Sequence, residues 1–176
     1  MLLFLLERGL TFLLIFTAAL IHELGHLFCI RLCRARILRT DIEAVGALIV
    51  YSSGETSLDE DIAIALGGII FNFITAILGI LFFTYYYNLY LLIFILANMA
   101  LACINLLPVS FLDGGRFLHS FLLKKVTVDK AERISHITSV TSKILLLIFT
   151  AFLIYISGFN TALIILFLIN LLQIFD

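Results

Sequence analysis

The sequence predicts an all-α polytopic membrane protein with about five transmembrane helices and a small membrane-associated β-hairpin between the first and second. Three observations carry that class. Of 176 residues, 63% are hydrophobic and 13% charged, and the mean hydropathy of +1.21 lies well outside the usual range of soluble domains. Uncharged runs long enough to cross roughly 30 Å of hydrocarbon recur along the chain. One stretch between the first two runs is instead rich in β-branched residues and turn formers.

The first span covers about residues 9–30 and carries "HELGH" near its end. Ile62–Tyr87 and Leu89–Leu112 are uncharged throughout and meet at the polar kink "YYYNLY". Ile144–Phe175 is uncharged over 32 residues, which as one helix would be about 48 Å long, more than a comfortable crossing. A break at Ser157-Gly158-Phe159-Asn160 divides it into two short helices, one long tilted helix being the alternative. In "ILRTDIEAVGALIVYSSGETSLDED", the apolar "VGALIVY" and the turn formers Ser52-Ser53-Gly54 suggest the hairpin. "RFLHSFLLKK" sets Phe117, Leu118, Phe121 and Leu122 at helical spacing among cations, the pattern of an interfacial helix.

A single domain over 1–176 is expected, with a core at about 9–116 and a C-terminal helical pair at about 140–175. "MLLFLLERGL" has no basic region ahead of its apolar run and reads as the start of the first helix, not as a removed signal peptide. Cys29, Cys33 and Cys103 read as buried small hydrophobes in preference to a disulfide or metal set. The net charge of −1 gives no reason to expect a nucleic-acid partner. Arg31, Arg34, Arg36 and Arg39 follow the first span, and Arg116, Lys124, Lys125, Lys130, Arg133 and Lys143 follow the third. By the positive-inside rule both loops face the cytoplasm, and with five spans the N-terminus lies outside.

His22 and His26 stand four residues apart, so on a helix both imidazoles can address one metal ion while Glu23 projects beside them. Zinc suits such a pair: two histidines, a third protein ligand and an open position for water. Glu23 would then serve as general base. In lipid the bland reading must also explain three polar groups in an apolar span, each costly unless paired or bound to metal. Among the remaining acidic and histidine residues only Asp113 ends a hydrophobic span at the depth of His22 and His26, and Gly114 and Gly115 beside it permit a tight turn. Asp113 is therefore the expected third ligand of one Zn2+ per chain.

"HELGH" on a membrane helix, followed by "NLLPVSFLDGGR" at residues 105–116, resembles the site-2 protease family of intramembrane zinc metalloproteases. Nearer still, it is similar to the stage IV sporulation protein FB branch, which processes a sigma-factor precursor at a membrane. The resemblance spans about residues 14–125. It implies that His22, His26 and Asp113 bind zinc and that Glu23 is catalytic. It also implies that Asn105 helps hold substrate and that Pro108 opens the helix end toward the cleft. The hairpin would offer a strand edge to an extended substrate. "GGIIFN" at residues 67–72 resembles the family's G-P-x-x-N stretch, with Gly68 and Asn72 retained. Three features depart from the pattern: no helix precedes the "HELGH" helix, Phe111 replaces a proline, and Ile69 replaces another.

The expected function is cleavage of a membrane-embedded or membrane-tethered protein near the cytoplasmic face, in the manner of regulated intramembrane proteolysis, with a transcription-factor precursor as one substrate class. The expected setting is a bacterial cytoplasmic membrane, with the lipid bilayer and a membrane regulatory partner around the enzyme. The alternative is a non-catalytic membrane regulator that retains the zinc site and binds the same substrates. Glu23, which a pure binder does not need, counts against it. A zinc carrier would need polar groups lining a path across several spans, and these spans offer almost none.

Overall fold

The computed structural model describes residues 2–34, 37–43, 46–51 and 57–157, with residues 167, 168 and 171 beyond them. Its elements in chain order are α1 (Leu2–Leu32), β1 (Ile37–Glu43), β2 (Gly46–Tyr51), α2 (Leu58–Phe83), α3 (Leu89–Asn105), α4 (Asp113–Leu123) and α5 (Val128–Ser157). The central element is α2, which packs against α1, α3 and α4, while α5 packs on α4.

The start of α2 is set by local chemistry. Ser57 caps it through a capping box, accepting from the Glu60 N–H while its own N–H donates to Glu60 Oε2 at 2.7 Å. Asp59, Glu60 and Asp61 crowd the first turn, where the helix dipole favours negative charge. Lys124, just past α4, pairs with Asp59 and ties the two helix ends together.

Small residues let α1 and α2 approach closely. A Cβ placed on Gly25 would lie 2.5 Å from the Gly67 carbonyl oxygen, and one on Gly67 would lie 2.6 Å from that of Gly25. In a bilayer such backbone contact is a main source of helix association, because burying apolar side chains gains little over leaving them in lipid. Ala18, Ala65, Ala76 and Ala102 are accordingly buried, whereas Phe12, Phe16, Leu24 and Phe28 of α1 point outward. Two amides are fully buried among them. Asn72 donates to the Ala18 carbonyl at 3.4 Å, and Asn98 to that of Phe94 at 2.9 Å.

The predicted five-span bundle needs correction. Among the described residues three helices are long and apolar enough to cross a membrane: Gly9–Leu32 within α1, Leu58–Phe83, and Val128–Ile156 within α5. The run expected to span Leu89–Leu112 forms a helix only to Asn105, 17 residues. Pro108 lacks an N–H and biases Leu107 away from helix, so the helix stops short while the apolar run continues. The start of the expected C-terminal pair at about 140–175 also moves. The helix begins at Val128 and runs unbroken to Ser157, because an exposed helical face accepts the charges of residues 129–143 that had suggested a loop. The expected break from Gly158 to Asn160 lies outside the described residues. The membrane-associated hairpin is corrected too. Ile37–Glu43 and Gly46–Tyr51 pair with each other in antiparallel register, but the packing that builds the molecule runs between helices. Ser52–Gly54, the expected turn, lies outside the described residues.

Candidate metal centre

On α1, one helical turn separates His22 from His26, and both are buried, at 6% and 8% exposure. Asp113 reaches them from the first turn of α4, 91 residues after His22 in sequence. Its Oδ2 lies 2.9 Å from His22 Nε2 and 3.1 Å from His26 Nε2, and the two Nε2 atoms are 3.1 Å apart. Among the described residues this is the set of side chains that could hold a metal ion, with its ligand atoms all within 4.8 Å of one another.

The loop before α4 aims the carboxylate. Val109 N–H bonds back to the Leu107 carbonyl across Pro108, and Leu112 N–H to that of Val109. Leu112 is extended at φ −98° and ψ 161° and carries no side-chain cap, so Asp113 opens the helix directly. The first turn of α4 is pressed onto the loop so tightly that a Cβ on Gly114 would collide with the Leu106 and Leu107 carbonyls, and one on Gly115 with that of Val109. Burial alone would push the Asp113 carboxyl up, but its hydrogen bonds to His22 and His26 outweigh that and hold it down at about 2. It therefore stands ionised.

The donor set fits a cation. His26 Nδ1 lies 2.8 Å from the Ile64 carbonyl oxygen, which can only accept, so Nδ1 carries the proton. Its Nε2 then faces Asp113 Oδ2 at 3.1 Å either through a second proton, which makes the hydrogen bond that lowers Asp113, or, when neutral, through a lone pair that calls for a cation between the two acceptors. One proton relieves one edge of this triangle; a metal ion relieves all three. Its edges of 2.9–3.1 Å are slightly under the roughly 3.3 Å between ligand atoms in a tetrahedron with zinc bonds of about 2.0–2.1 Å, so a small outward movement admits the ion. Histidine through Nε2, backed by a carbonyl on Nδ1, is also the usual arrangement around a metal.

Gly68 completes the pocket. A Cβ there would lie 2.5 Å from His26 Nε2 and 2.7 Å from His22 Cε1. Gly68→Ala is therefore expected to displace both rings and weaken zinc binding by about tenfold or more, the usual scale of core overpacking. Competition with a chelating dye would measure this, with Gly79→Ala as the control because its added methyl meets only the Ile95 side chain. Equal affinities would show that the rings can shift freely. Neither Gly68 nor the Ile64 carbonyl stood out in the sequence as part of the site. Gly68 was singled out only through the resemblance of "GGIIFN" to a family stretch, without a place at the metal site.

The other expected site residues are not gathered into this cluster. Glu23 lies on α1 between the histidines and is half-buried. Asn105 ends α3 with its side-chain amide donating to the Leu101 carbonyl at 3.0 Å. Pro108 lies in the following loop, half-buried.

A helical bundle with three helices of membrane-spanning length and a buried His-His-Asp set defines an integral membrane protein with a candidate metal centre. Comparison with known proteins narrows the class. A family model, Peptidase family M50, matches residues 87–149. Zinc metalloprotease MJ0392 of Methanocaldococcus jannaschii is 28% identical over 129 residues, which are 70% of this chain and 38% of that protein. The chain thus spans well under half the length of this curated relative. A solved structure, the Site-2 Protease from Methanocaldococcus jannaschii, matches with a TM-score of 0.66 at 24% identity, covering 94% of this chain and 74% of that one, a likeness of fold. The chain is thus similar to M50 peptidases over part of its length and to a site-2 protease in fold.

Proposed function

We propose that this chain is an intramembrane zinc metalloendopeptidase, carried by one observation: His22, His26 and Asp113 converge, buried, between helices apolar enough to lie in a membrane. These three residues would hold the ion. When bound, zinc supplies Lewis-acid chemistry, polarising the scissile carbonyl and acidifying water. Glu23 takes the proton shed by the attacking water at its carboxylate and returns it to the leaving amine nitrogen, so the peptide C–N bond breaks with protons balanced. Asn105 holds its own orientation by donating to Leu101, which leaves Oδ1 to accept from a substrate N–H. Pro108 ends the helical ladder beside the site and keeps the cleft open there.

The substrate in this reading is a membrane-embedded or membrane-tethered protein whose helix unwinds near the site, since a helical backbone keeps its carbonyls in internal hydrogen bonds. The arginines after α1 and the cations from Arg116 onward support a cytoplasmic site. A reporter inserted after Lys125 is expected to read out as cytoplasmic, and an external readout would reverse the orientation. The "NLLPVSFLDGGR" motif supports the stage IV sporulation protein FB branch, and with it a transcription-factor precursor as substrate.

The test is to co-reconstitute the full chain with single-span membrane proteins and map any new termini, with and without a zinc chelator. Chelator-sensitive cuts within the span, toward the cytoplasmic end, are expected. A zinc-loaded chain that cuts none of them would favour the regulator that binds without cleaving.

A further inference from the structure

We infer that Ser139, on α5, is a positioning residue for Asp113, an inference that rests on the metal-site reading above. Ser139 is buried at 5% exposure, although it lies on a helix most of whose surface faces outward. Its Oγ accepts the Ser110 backbone N–H at 2.9 Å. One turn further along, Lys143 Nζ stands 5.9 Å from the centroid of the Phe111 ring, within cation–π range. Two residues four apart on α5 thus grip two consecutive residues of the loop that ends at Asp113.

Within that loop Val109 is fully buried and Gly114 and Gly115 pack against its carbonyls, whereas Ser110 and Phe111 are exposed and are the part that α5 holds. The loop's own bonds run from Val109 to Leu107 and from Leu112 to Val109, and Leu112 gives α4 no side-chain cap. Only Phe111 and Leu112 separate Ser110 from Asp113. A shift at Ser110 therefore passes along a taut link to a carboxylate that must meet two imidazoles at 2.9 and 3.1 Å. Groups that orient ligands from behind contribute to metal affinity although they never touch the metal. Ser139 is one step further back than usual, because it orients the backbone that orients the ligand.

The neighbouring Ser135 supplies a matched control. It lies one turn earlier on the same helix, and its buried Oγ has no hydrogen-bond partner, so Ser135→Ala removes a hydroxyl without removing a bond.

The experiment uses the full chain in detergent and compares wild type, Ser139→Ala, Ser139→Thr and Ser135→Ala. Zinc affinity is read by chelator competition, and hydrogen exchange over residues 106–116 gives a readout that needs no metal. Ser139→Ala is expected to weaken zinc binding about three- to tenfold, the scale of one lost hydrogen bond, and to speed exchange at Ser110. Threonine, which keeps the hydroxyl, restores both, and Ser135→Ala behaves as wild type. Unchanged affinity and exchange in Ser139→Ala would overturn the proposal. Faster exchange with unchanged affinity would reduce Ser139 to a staple for the loop and overturn it as well, while leaving the zinc site standing. A wild-type chain that takes up no zinc would instead remove the metal reading, and this inference with it.

Discussion

Glu23→Gln is expected to lower peptide-bond cleavage by at least about 10²–10⁴-fold, the usual contribution of a general acid–base, while zinc stays at about one ion per chain. The two halves of that result come from geometry. Glu23 stands outside the buried His22, His26 and Asp113 cluster, so removing its charge takes no ligand from the ion. It is half-buried, where a neutral amide of the same shape is easily accommodated. The amide cannot take up a proton and hand it on, so the chemistry stops while the site stays assembled. Atomic emission on the purified variant gives the zinc content, and the reconstituted cleavage assay gives the activity. An active Gln variant would remove Glu23 from the mechanism. A variant that lost both zinc and activity would show that Glu23 builds the site and does not act in it.

The meeting of His22, His26 and Asp113 was legible in the sequence because its logic is local and its surroundings are severe. The spacing of His22 and His26 sets one helical face, and a polar triplet in an apolar span demands a reason. Asp113 followed from depth, since it ends an apolar run on the side where the histidines lie. The helix boundaries were less legible. From Leu89 to Leu112 every residue is uncharged, so hydropathy could not register that the helix stops at Asn105 and that the last seven residues form an irregular loop. Proline marks that stop only through the hydrogen bond it lacks. On α5 the error ran the other way. Charges between Asp129 and Lys143 read as loop, although a helix emerging from a membrane carries charge freely on its exposed turns. Partners made of backbone could not be assigned to the site. The Ile64 carbonyl that fixes the His26 tautomer has no side-chain signature, and Gly68 matters by what it lacks.

These backbone partners bear on how the site forms. In a bundle that gains little from burying apolar side chains, close α1–α2 contact through Gly25 and Gly67 fixes how the two helices lie, and with them His26 and Ile64. Two of the three ligand side chains are thus set by one helix pair. The third arrives on a separate loop, held by different contacts.

Asp113→Ala is for this reason expected to have the largest effect on metal content, with zinc falling from about one per chain to near background after dialysis. Apparent zinc-site energies of about 10–16 kcal/mol, shared among four ligands, assign about 3 kcal/mol to each, which is roughly a hundredfold in affinity. Loss of the carboxylate also removes the charge that balances the ion in a low-dielectric setting, so the measured loss should exceed that figure. The fold should survive, because Asp113 is held by the loop and by Gly114 and Gly115, whose backbone contacts do not depend on its side chain. Asp113→Asn separates charge from shape: it keeps one oxygen near the imidazoles, and its affinity is expected to fall between those of wild type and Ala. Circular dichroism would confirm that both variants stay helical, and metal analysis would rank them. If Asp113→Ala retained a full complement of zinc, the third ligand would have to be sought elsewhere. The 2.9 Å approach of Asp113 to His22 would then be an ion pair and not half of a metal site.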